Sequence, residues 1–296
     1  MALAEKIPLI DFRVRPPYKS FVPNFFTFGY PLDKDLGLPA IVRLCFRDPV
    51  PSRDEKSFEL FLEEMDEAGV VFAVVTGRAG VENAHVAELI GEHPERFAGF
   101  GGVDTSEIPT ALRGIAGFRK QGFVGVALDN AMANPARHND DPALDDVYAL
   151  CREEDLLVSL NGSFLLSPDL SYVDPIRIQH VALKYPELRI IVAHGCWPWV
   201  TQICAVALMC PNVYLMPDLY PHMPEQEGFF DAVRAGLEGQ VLYGSSYPAM
   251  SLPASARVIR AVDFSPAEDA QRRMFESAAA LLGRDPSKLA PDYMAG

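Results

Sequence analysis

Three charged residues occupy alternate positions near the start of the chain. The stretch "IPLIDFRVRPP" runs from Ile7 to Pro17, and its apolar beginning leads directly into Asp11, Arg13 and Arg15. Side chains two positions apart on a β-strand point to the same face, so we expect the three charged groups to share one side. An unpaired buried charge is very costly, and guanidinium groups present forked donors that suit a carboxylate or a phosphate. The stretch therefore predicts either a network of paired charges or an anion-binding site.

The composition is that of an ordinary globular protein, and it limits the classes of function. The 296 residues are 49% hydrophobic and 22% charged, with a formal net charge of −14 and a pI of about 4.8. So acidic a chain is unsuited to nonspecific binding of nucleic acid or of anionic membranes, whereas a local cationic pocket can still bind an anionic small molecule. The five cysteines are scattered, and no apolar run reaches the length of a membrane span or resembles a signal peptide. We therefore expect a cytoplasmic protein with no cofactor-binding cysteine cluster and no nucleic-acid or membrane partner.

Eight apolar runs recur along the chain and alternate with amphipathic stretches. The runs are "IPLIDFRVR", "VVFAVVTGR", "RFAGFGGVD", "GFVGVALDN", "LLVSLNG", "LRIIVAHG", "NVYLMPD" and "QVLYGSSYP". In the intervening stretch "SFELFLEEMDEAG", apolar residues fall at helical spacing and Gly69 follows as a C-cap. Eight strand–helix units in a chain of this length favour a closed barrel over a doubly wound open sheet. The predicted fold class is therefore α/β, a single (β/α)8 TIM barrel domain over residues 1–296.

Two segments depart from this repeat. The connection after the first strand is much longer than the others and is dense in proline and aromatic residues. Long connections of this kind are usually functional or disordered, and we expect residues 16–52 to form a flap over the barrel mouth. The same aromatic residues could instead seal the barrel edge or an oligomer interface. The end of the chain, residues 284–296, is loosely patterned and is expected to be a surface tail.

Polar groups end every one of the eight apolar runs. They are Arg13 and Arg15, Arg78, Asp104, Asp129 and Asn130, Asn161, His194, Asp218, and Ser245 and Ser246. Some of them are expected only to begin loops or to cap the next helix, and we favour that role for Asp104 and Asn130. The active site of a TIM barrel lies at the C-terminal ends of its strands, where the whole set converges. The pattern therefore predicts a functional site at this end of the barrel.

Five stretches, in order and over nearly the whole chain, are similar to the motifs of one family. "LIDFRVRPP" sits where that family opens with Asp-x-His-x-His, and "VLYGSSYP" resembles its Gly-Ser-Asp-x-Pro. "HPERFAGFGGV", "YPELRIIVAHGCWPWV" and "FESAAALLG" resemble its third strand, its sixth strand and its closing helix. The chain thus resembles the amidohydrolase-related branch of the amidohydrolase superfamily, which includes aminocarboxymuconate-semialdehyde decarboxylase and pyrone-dicarboxylate lactonase. The resemblance implies a TIM barrel that hydrolyses or decarboxylates small carboxylic acids.

The sequence departs from this family where the resemblance places the metal ligands. Carried over by position, the two histidines of strand one become Arg13 and Arg15, the histidine of strand five becomes Asn161, and the aspartate of strand eight becomes Ser246. Only His194 keeps its residue type among these positions. A hydrolytic zinc normally needs three protein ligands, and arginine has no lone pair to donate. The departures predict a degenerate metal site, no metal ligands and no cofactor, with a fixed positive charge in the place of the metal.

The residues at the strand ends define the predicted site. His194 and Asp218 are the candidate catalytic residues, because a histidine and a carboxylate can exchange protons with a substrate. The candidate substrate-binding residues, chosen for their charge, their hydrogen-bonding groups or their place near the mouth, are Arg13, Arg15, Arg78, Asn161, Ser246, Trp197 and His222. As an alternative without a ligand, Arg13 could pair with Asp11, Asp129 or Asp218 in a structural network.

Three functions are consistent with these residues. The first is a hydrolase or decarboxylase that acts without metal on a small carboxylate-bearing substrate, such as a lactone or an aromatic or dicarboxylic acid. The second is a pseudoenzyme that binds an anion on the same barrel but has lost its chemistry, since the family's general base is absent at Ser246. The third is a metal-dependent hydrolase with a rearranged site of His194, Asp218 and His222. The expected partner is a small anionic molecule, and the chain could form a homo-oligomer.

Overall fold

The computed structural model of the chain describes residues 7–19, 49–77, 81–218, 223–267 and 269–294. Most of the expected flap, together with Arg78 and His222, lies outside these ranges. The predictions made for those residues therefore stay predictions.

Within the described ranges, parallel strands follow one another around the sheet in sequence order. They are β1 (Leu9–Val14), β2 (Val70–Thr76), β3 (Phe97–Val103), β4 (Gly125–Leu128), β5 (Leu157–Asn161), β6 (Ile190–Ala193) and β7 (Val213–Met216). Each strand pairs in parallel with the next one along the chain. Parallel strands in sequence order with helices between them are the arrangement of a TIM barrel, so the predicted fold class is confirmed.

The eighth apolar run, residues 240–248, closes the barrel without forming a regular strand; we call it segment eight. Its backbone is hydrogen-bonded to Leu215 of β7 at 2.8 Å on one side and to Phe12 of β1 at 2.9 Å on the other. The amide of Ser245 donates instead to Asp11 Oδ1, at 3.0 Å. An amide that bonds to a side chain is withdrawn from the strand ladder, which explains why this run is irregular where a strand was expected.

Helices lie between the strands and after segment eight. They are α1 (Pro51–Glu55), α2 (Phe58–Ala68), α3 (Val81–Glu92), α4 (Ile108–Ile115), α5 (Asp145–Glu153), α6 (Pro175–Lys184), α7 (Val200–Met209), α8 (Glu227–Ala232), α9 (Leu252–Arg260), α10 (Ala270–Leu281), α11 (Pro286–Leu289) and α12 (Pro291–Met294). Helix α2 begins where the Ser57 hydroxyl accepts the Leu60 amide at 3.2 Å, and it ends at the predicted C-cap, Gly69, with a φ of 65°. No helix in the described ranges is long and apolar enough to cross a membrane.

Two apolar clusters divide the core into an inner and an outer layer. On β2, Phe72 and Val74 belong to one cluster, and Ala73 and Val75 belong to the other. The first cluster also contains residues of α10 and is packed against α11 and α12, which close the barrel at one end; it is therefore the barrel interior. The second cluster includes the inward faces of the surrounding helices. This alternation decides which side chains at the strand ends reach the barrel mouth.

The C-terminal segment, residues 284–296, was expected to be a surface tail. In the structure it contains the short helices α11 and α12. The Tyr293 ring packs edge-on against Phe275 of α10, with 6.4 Å between the ring centroids. These contacts join the segment to the cluster inside the barrel, at the end away from the candidate site.

Candidate active site

A bulge in β1 decides where its charged side chains point. Between Asp11 and Val14, three steps along β1 match two steps along β2. The amide of Arg13 leaves the ladder and donates to Asp11 Oδ1 at 2.9 Å. The extra residue reverses the alternation, so Arg13 and Arg15 lie on the inner side of the barrel while Asp11 lies on the outer side. The prediction that all three charged residues share one face is therefore wrong.

Asp218, which follows β7, lies at the centre of the site, and its side chain is fully buried. Its Oδ2 lies 3.5 Å from Arg13 Nε and accepts a hydrogen bond from the Ser246 hydroxyl. Its Oδ1 accepts the His194 amide at 2.7 Å and lies 3.1 Å from Nδ1 of the same residue. Burial opposes ionisation, but His194, Arg13 and Ser246 together hold the pKa of Asp218 down at about 2. An ionised carboxylate therefore joins β1, β6, β7 and segment eight.

His194 follows β6 in the left-handed conformation, with a φ of 65°. Non-glycine residues rarely adopt this conformation, and such strain persists only where surrounding contacts impose it. Burial lowers the pKa of His194, the Arg13 charge lowers it further, and Asp218 opposes the lowering. Its Nδ1 faces Asp218 Oδ1 at 3.1 Å without the alignment of a hydrogen bond. The arrangement places an imidazole beside an ionised carboxylate at the barrel mouth.

Arg13 supplies an anion-binding group at the same point. Its side chain is 10% exposed, and its Nε faces Asp218. Within the described ranges, the two terminal nitrogens of Arg13 have no hydrogen-bond partner. Of the pairings considered from the sequence, the one with Asp218 is formed, whereas Asp11 accepts backbone amides instead. A buried guanidinium with unused donors is suited to a ligand carboxylate.

The second arginine, Arg15, follows β1 and lies at the same end of the barrel. Arg15 is 6% exposed, and its Nε donates to the Thr76 carbonyl of β2 at 3.1 Å. Arg13 in β1 and Arg15 just after it thus lie at the same end of the barrel, and a part for Arg15 in ligand binding stays a prediction. The contributions of Arg78 and His222 to ligand binding stay predictions.

Asn161, the last residue of β5, is held in a fixed orientation. Its Oδ1 accepts the Ser163 amide at 2.8 Å, and its Nδ2 donates to Asp129 Oδ1 at 2.6 Å. Asp129 follows β4 and is half-buried. From the sequence, this aspartate was expected to be one of the groups at the strand ends, with no role in ligand binding. It lies two positions after Ala127, which belongs to the inner cluster, and this spacing indicates an inward position.

Trp197 follows the His194 turn, but its contacts are with neighbouring loops. Its indole N–H donates to the Pro224 carbonyl at 2.9 Å, and its ring packs at 5.1 Å from that of Phe164. The side chain also packs against the outer core cluster. These contacts agree with the packing interpretation, and a contact between Trp197 and a ligand stays a prediction.

Comparisons with known proteins agree on one family and one fold. The family model described as Amidohydrolase matches residues 33–284. No curated protein sequence matches the chain. An uncharacterized TIM-barrel protein of Bordetella bronchiseptica, Bb4693, is 30% identical, with a TM-score of 0.83 over 94% of this chain and 100% of that chain.

Two decarboxylase structures also share the fold. The 5-carboxyvanillate decarboxylase of Sphingomonas paucimobilis is 16% identical, with a TM-score of 0.62 over 94% of this chain and 100% of that chain. A 5-carboxyvanillate decarboxylase of Novosphingobium aromaticivorans is 14% identical, with a TM-score of 0.65 over 94% of this chain and 97% of that chain. The latter was crystallised with manganese and 4-hydroxy-3-methoxy-5-nitrobenzoic acid.

The manganese in that structure corrects one expectation drawn from the sequence. The prediction of no metal cofactor is wrong, because it assumed that a metal needs ligands at the positions now held by the two arginines, Asn161 and Ser246. The described residues nevertheless contain no group of three or more His, Cys, Asp or Glu side chains that could hold a metal. At the barrel mouth, His194 and Asp218 lie together, but Asp218 is already bonded to Arg13 and Ser246. These residues alone do not fit the metal.

Proposed function

The chain belongs to the amidohydrolase family, and from this premise we propose that it cleaves a bond in a small organic acid, by hydrolysis or by loss of carbon dioxide. The observation that carries the proposal is the buried guanidinium of Arg13, whose terminal nitrogens have no partner among the described residues. A carboxylate-bearing lactone or aromatic acid would satisfy these donors. Such acids are also the substrates named for the decarboxylases that share the fold.

In this proposal, different residues bind the substrate and transfer the proton. Arg13 holds the carboxylate of the substrate, and Asp218 keeps Arg13 and His194 in their relative positions. His194 exchanges a proton through Nε2, because Asp218 faces its Nδ1. Ser246 donates its hydroxyl to Asp218, so it supports the carboxylate and is not an activated nucleophile.

The geometry favours hydrolysis over decarboxylation for a carboxylate bound at Arg13. A guanidinium stabilises the ionised carboxylate more than the neutral carbon dioxide that would leave, so it raises the barrier to loss of that group. In hydrolysis the bound carboxylate is only an anchor, and His194 takes a proton from the attacking water. The water oxygen bonds to the carbonyl carbon of the lactone, the ring C–O bond breaks, and His194 returns the proton to the leaving oxygen. For decarboxylation, the carboxylate that is lost would have to be one that Arg13 does not bind. That group would leave as carbon dioxide, and the ring carbon would take one proton from the site in its place.

A turnover assay tests the proposal. The purified chain is incubated with carboxylate-bearing lactones and aromatic acids, with and without added manganese, and both ring opening and carbon dioxide release are followed. We expect turnover of at least one acid and none of its carboxamide, since the amide lacks the charge that Arg13 binds. His194→Gln should abolish turnover while leaving the affinity for the acid within about threefold.

Two results would count against the proposal in different ways. Binding of acids without turnover in either condition would identify a non-catalytic anion-binding barrel. An absence of binding by every acid tested, in a chain shown to be folded, would remove the role of Arg13 altogether.

A further inference from the structure

Ser246 has a backbone conformation that a serine does not favour. Its φ is 56°, in the left-handed region that residues other than glycine rarely adopt. Such a conformation persists only where the surrounding structure imposes it. In this conformation the Ser246 hydroxyl donates to Asp218 Oδ2. The contacts that impose the conformation therefore help to arrange the candidate active site.

Tyr247, the next residue, is held at several points. Its amide donates to Ser245 Oγ at 3.0 Å, and its carbonyl accepts the Arg15 amide at 3.0 Å. Its ring packs at 4.7 Å from that of Phe61 in α2, and the residue is only 1% exposed. A neighbour that is fixed through both its backbone and its side chain restricts the conformations open to Ser246.

The Tyr247 hydroxyl is tied to the first two helices through Ser52 of α1. The hydroxyl oxygens of Tyr247 and Ser52 lie 2.7 Å apart. The carboxylate of Glu64 in α2 accepts the Ser52 amide at 2.9 Å and the Ser52 hydroxyl at 2.7 Å. Because the Ser52 hydroxyl gives its single proton to Glu64, Tyr247 must be the donor between the two hydroxyls. The three buried side chains therefore form one chain of hydrogen bonds that ends at segment eight.

The position of Ser246 bears on which nitrogens of Arg13 are available to a ligand. Asp218 Oδ2 accepts the Ser246 hydroxyl and lies 3.5 Å from Arg13 Nε. Without the serine hydroxyl this buried oxygen would lack a hydrogen bond, and a guanidinium could supply one by turning a terminal nitrogen toward it. That nitrogen would then be lost to the ligand.

We propose that Tyr247 is a positioning residue of the candidate active site. Anchored by Ser52 and Glu64, it holds the left-handed conformation of Ser246. Through Ser246 it keeps the terminal nitrogens of Arg13 available for the carboxylate of an acid. The inference rests on the proposed function of the Arg13 site, and it requires no contact between Tyr247 and the ligand.

A double-mutant cycle tests this role, with 3-hydroxybenzoate as the probe acid. Tyr247→Phe removes the hydroxyl and keeps the ring that packs on Phe61. Isothermal titration should show that Tyr247→Phe and Ser246→Ala each bind the probe about three- to tenfold more weakly than the wild-type chain, the effect of about one hydrogen bond. If Tyr247 acts through Ser246, the double variant should bind no more weakly than Ser246→Ala, whereas independent effects would multiply.

Tyr185→Phe is the matched control. Tyr185 is 8% exposed, and its hydroxyl donates to Asp145 Oδ1 at 3.1 Å. It precedes β6, so it lies at the end of the barrel away from the mouth. This variant also loses the hydrogen bond of a buried tyrosine, but its affinity for 3-hydroxybenzoate should equal that of the wild-type chain. Melting temperatures establish that every variant is folded.

The outcomes separate this inference from the proposed function. Equal affinities of the wild-type chain and a folded Tyr247→Phe variant would overturn the role of Tyr247 and leave the Arg13 site intact. Losses that multiply in the double variant, or an equal loss in Tyr185→Phe, would do the same, because the effect would not pass through Ser246. If the wild-type chain does not bind 3-hydroxybenzoate, the Arg13 site itself is refuted, and the inference falls with it.

Discussion

Arg13 is the residue on which ligand binding depends most directly. Its Nε is occupied by Asp218 at 3.5 Å, which leaves the terminal nitrogens for a ligand. A hydrogen bond to a charged group contributes about 1.5–3 kcal/mol, so Arg13→Met should weaken the binding of 3-hydroxybenzoate by roughly ten- to a hundredfold. Isothermal titration measures this loss.

A control for Arg13→Met lies at the opposite end of the barrel. Arg96 precedes β3 and bonds to the exposed Asp66 at 2.8 Å. Arg96→Met should leave the affinity for 3-hydroxybenzoate unchanged. Equal losses in the two variants would show that the effect of Arg13→Met comes from general destabilisation and not from a lost contact.

Asp11 lies on the outer side of the barrel, where its Oδ1 accepts the amides of Arg13 and Ser245. It is fully buried, and within the described ranges its Oδ2 has no hydrogen-bond partner. Burial raises the pKa of Asp11 from 3.8 to about 7, although hydrogen bonds from Ser245 and from the Arg13 amide act to lower it. The folded chain therefore binds a proton at Asp11 that the unfolded chain has already released above about pH 4.

This difference predicts how stability depends on pH. Between the unfolded and folded pKa values the folded state holds more protons, so the free energy of unfolding falls as pH rises and levels off above about pH 7. Asp11→Asn keeps an oxygen that can accept both amides and removes the titration. The stability of Asp11→Asn relative to wild type should rise by roughly 3 kcal/mol between about pH 5 and pH 8. Urea unfolding at both pH values measures it, and a constant difference would mean that Asp11 is ionised throughout.

At the scale of the elements, segment eight packs closely against β7 and the residue that follows it, Asp218. A Cβ added at Gly244 would come within 2.8 Å of Met216 Sδ and 3.1 Å of Asp218 Cβ. Gly244→Ala should therefore cost about 1–3 kcal/mol of stability and also weaken ligand binding, because it displaces Asp218. Thermal unfolding and titration with 3-hydroxybenzoate measure the two effects.

The matched substitution is on α3. A Cβ at Gly91 would meet no atom within 4 Å, so Gly91→Ala should stabilise the chain by about 0.5–1 kcal/mol. Ligand affinity should not change. If Gly244→Ala proved as stable as Gly91→Ala, segment eight would be able to move away from β7 without cost.

The elements also show what the sequence could and could not predict. Val70–Thr76 was recognisable as a strand because its apolar run is buried on both faces, and the same signal repeats around the barrel. The bulge in β1 was not recognisable, because the Asp11 oxygen that accepts the Arg13 amide also accepts the amide of Ser245, 234 positions away. A contact at that separation leaves no periodic pattern. The two arginines were therefore predicted to face inward on the assumption that β1 is a regular strand. In the structure they face inward because the bulge in β1 reverses the alternation of its side chains.

The sequence indicated where polar residues would meet and offered the Arg13–Asp218 pair among three alternatives, but it did not indicate the other contacts of Asp218. Polar residues at strand ends indicated the barrel mouth, because the C-terminal ends of parallel strands meet there. The bonds of Asp218 to residues on three other elements required the closed barrel.

For the whole molecule, the net charge of the chain opposes the approach of an anionic ligand. The chain carries a formal net charge of −14, whereas the mouth holds Arg15 and Arg13, the latter paired with the ionised Asp218. An acidic protein repels an anionic ligand at long range, even when a local cation binds it on contact. The Debye length falls from about 30 Å at 0.01 M salt to about 8 Å at 0.15 M, so salt screens the distant repulsion more than the buried contact.

Salt should therefore accelerate the binding of an acid to this chain. We expect the association rate of 3-hydroxybenzoate to rise about two- to fivefold between these ionic strengths, because the repulsion by the net charge is removed. Stopped-flow fluorescence can follow the reaction, since Trp197 lies three positions after His194. The association of 3-hydroxybenzamide, which carries no charge, should be independent of salt. A rate for the acid that falls with salt would mean that the cations at the mouth outweigh the net charge of the molecule and attract the ligand from a distance.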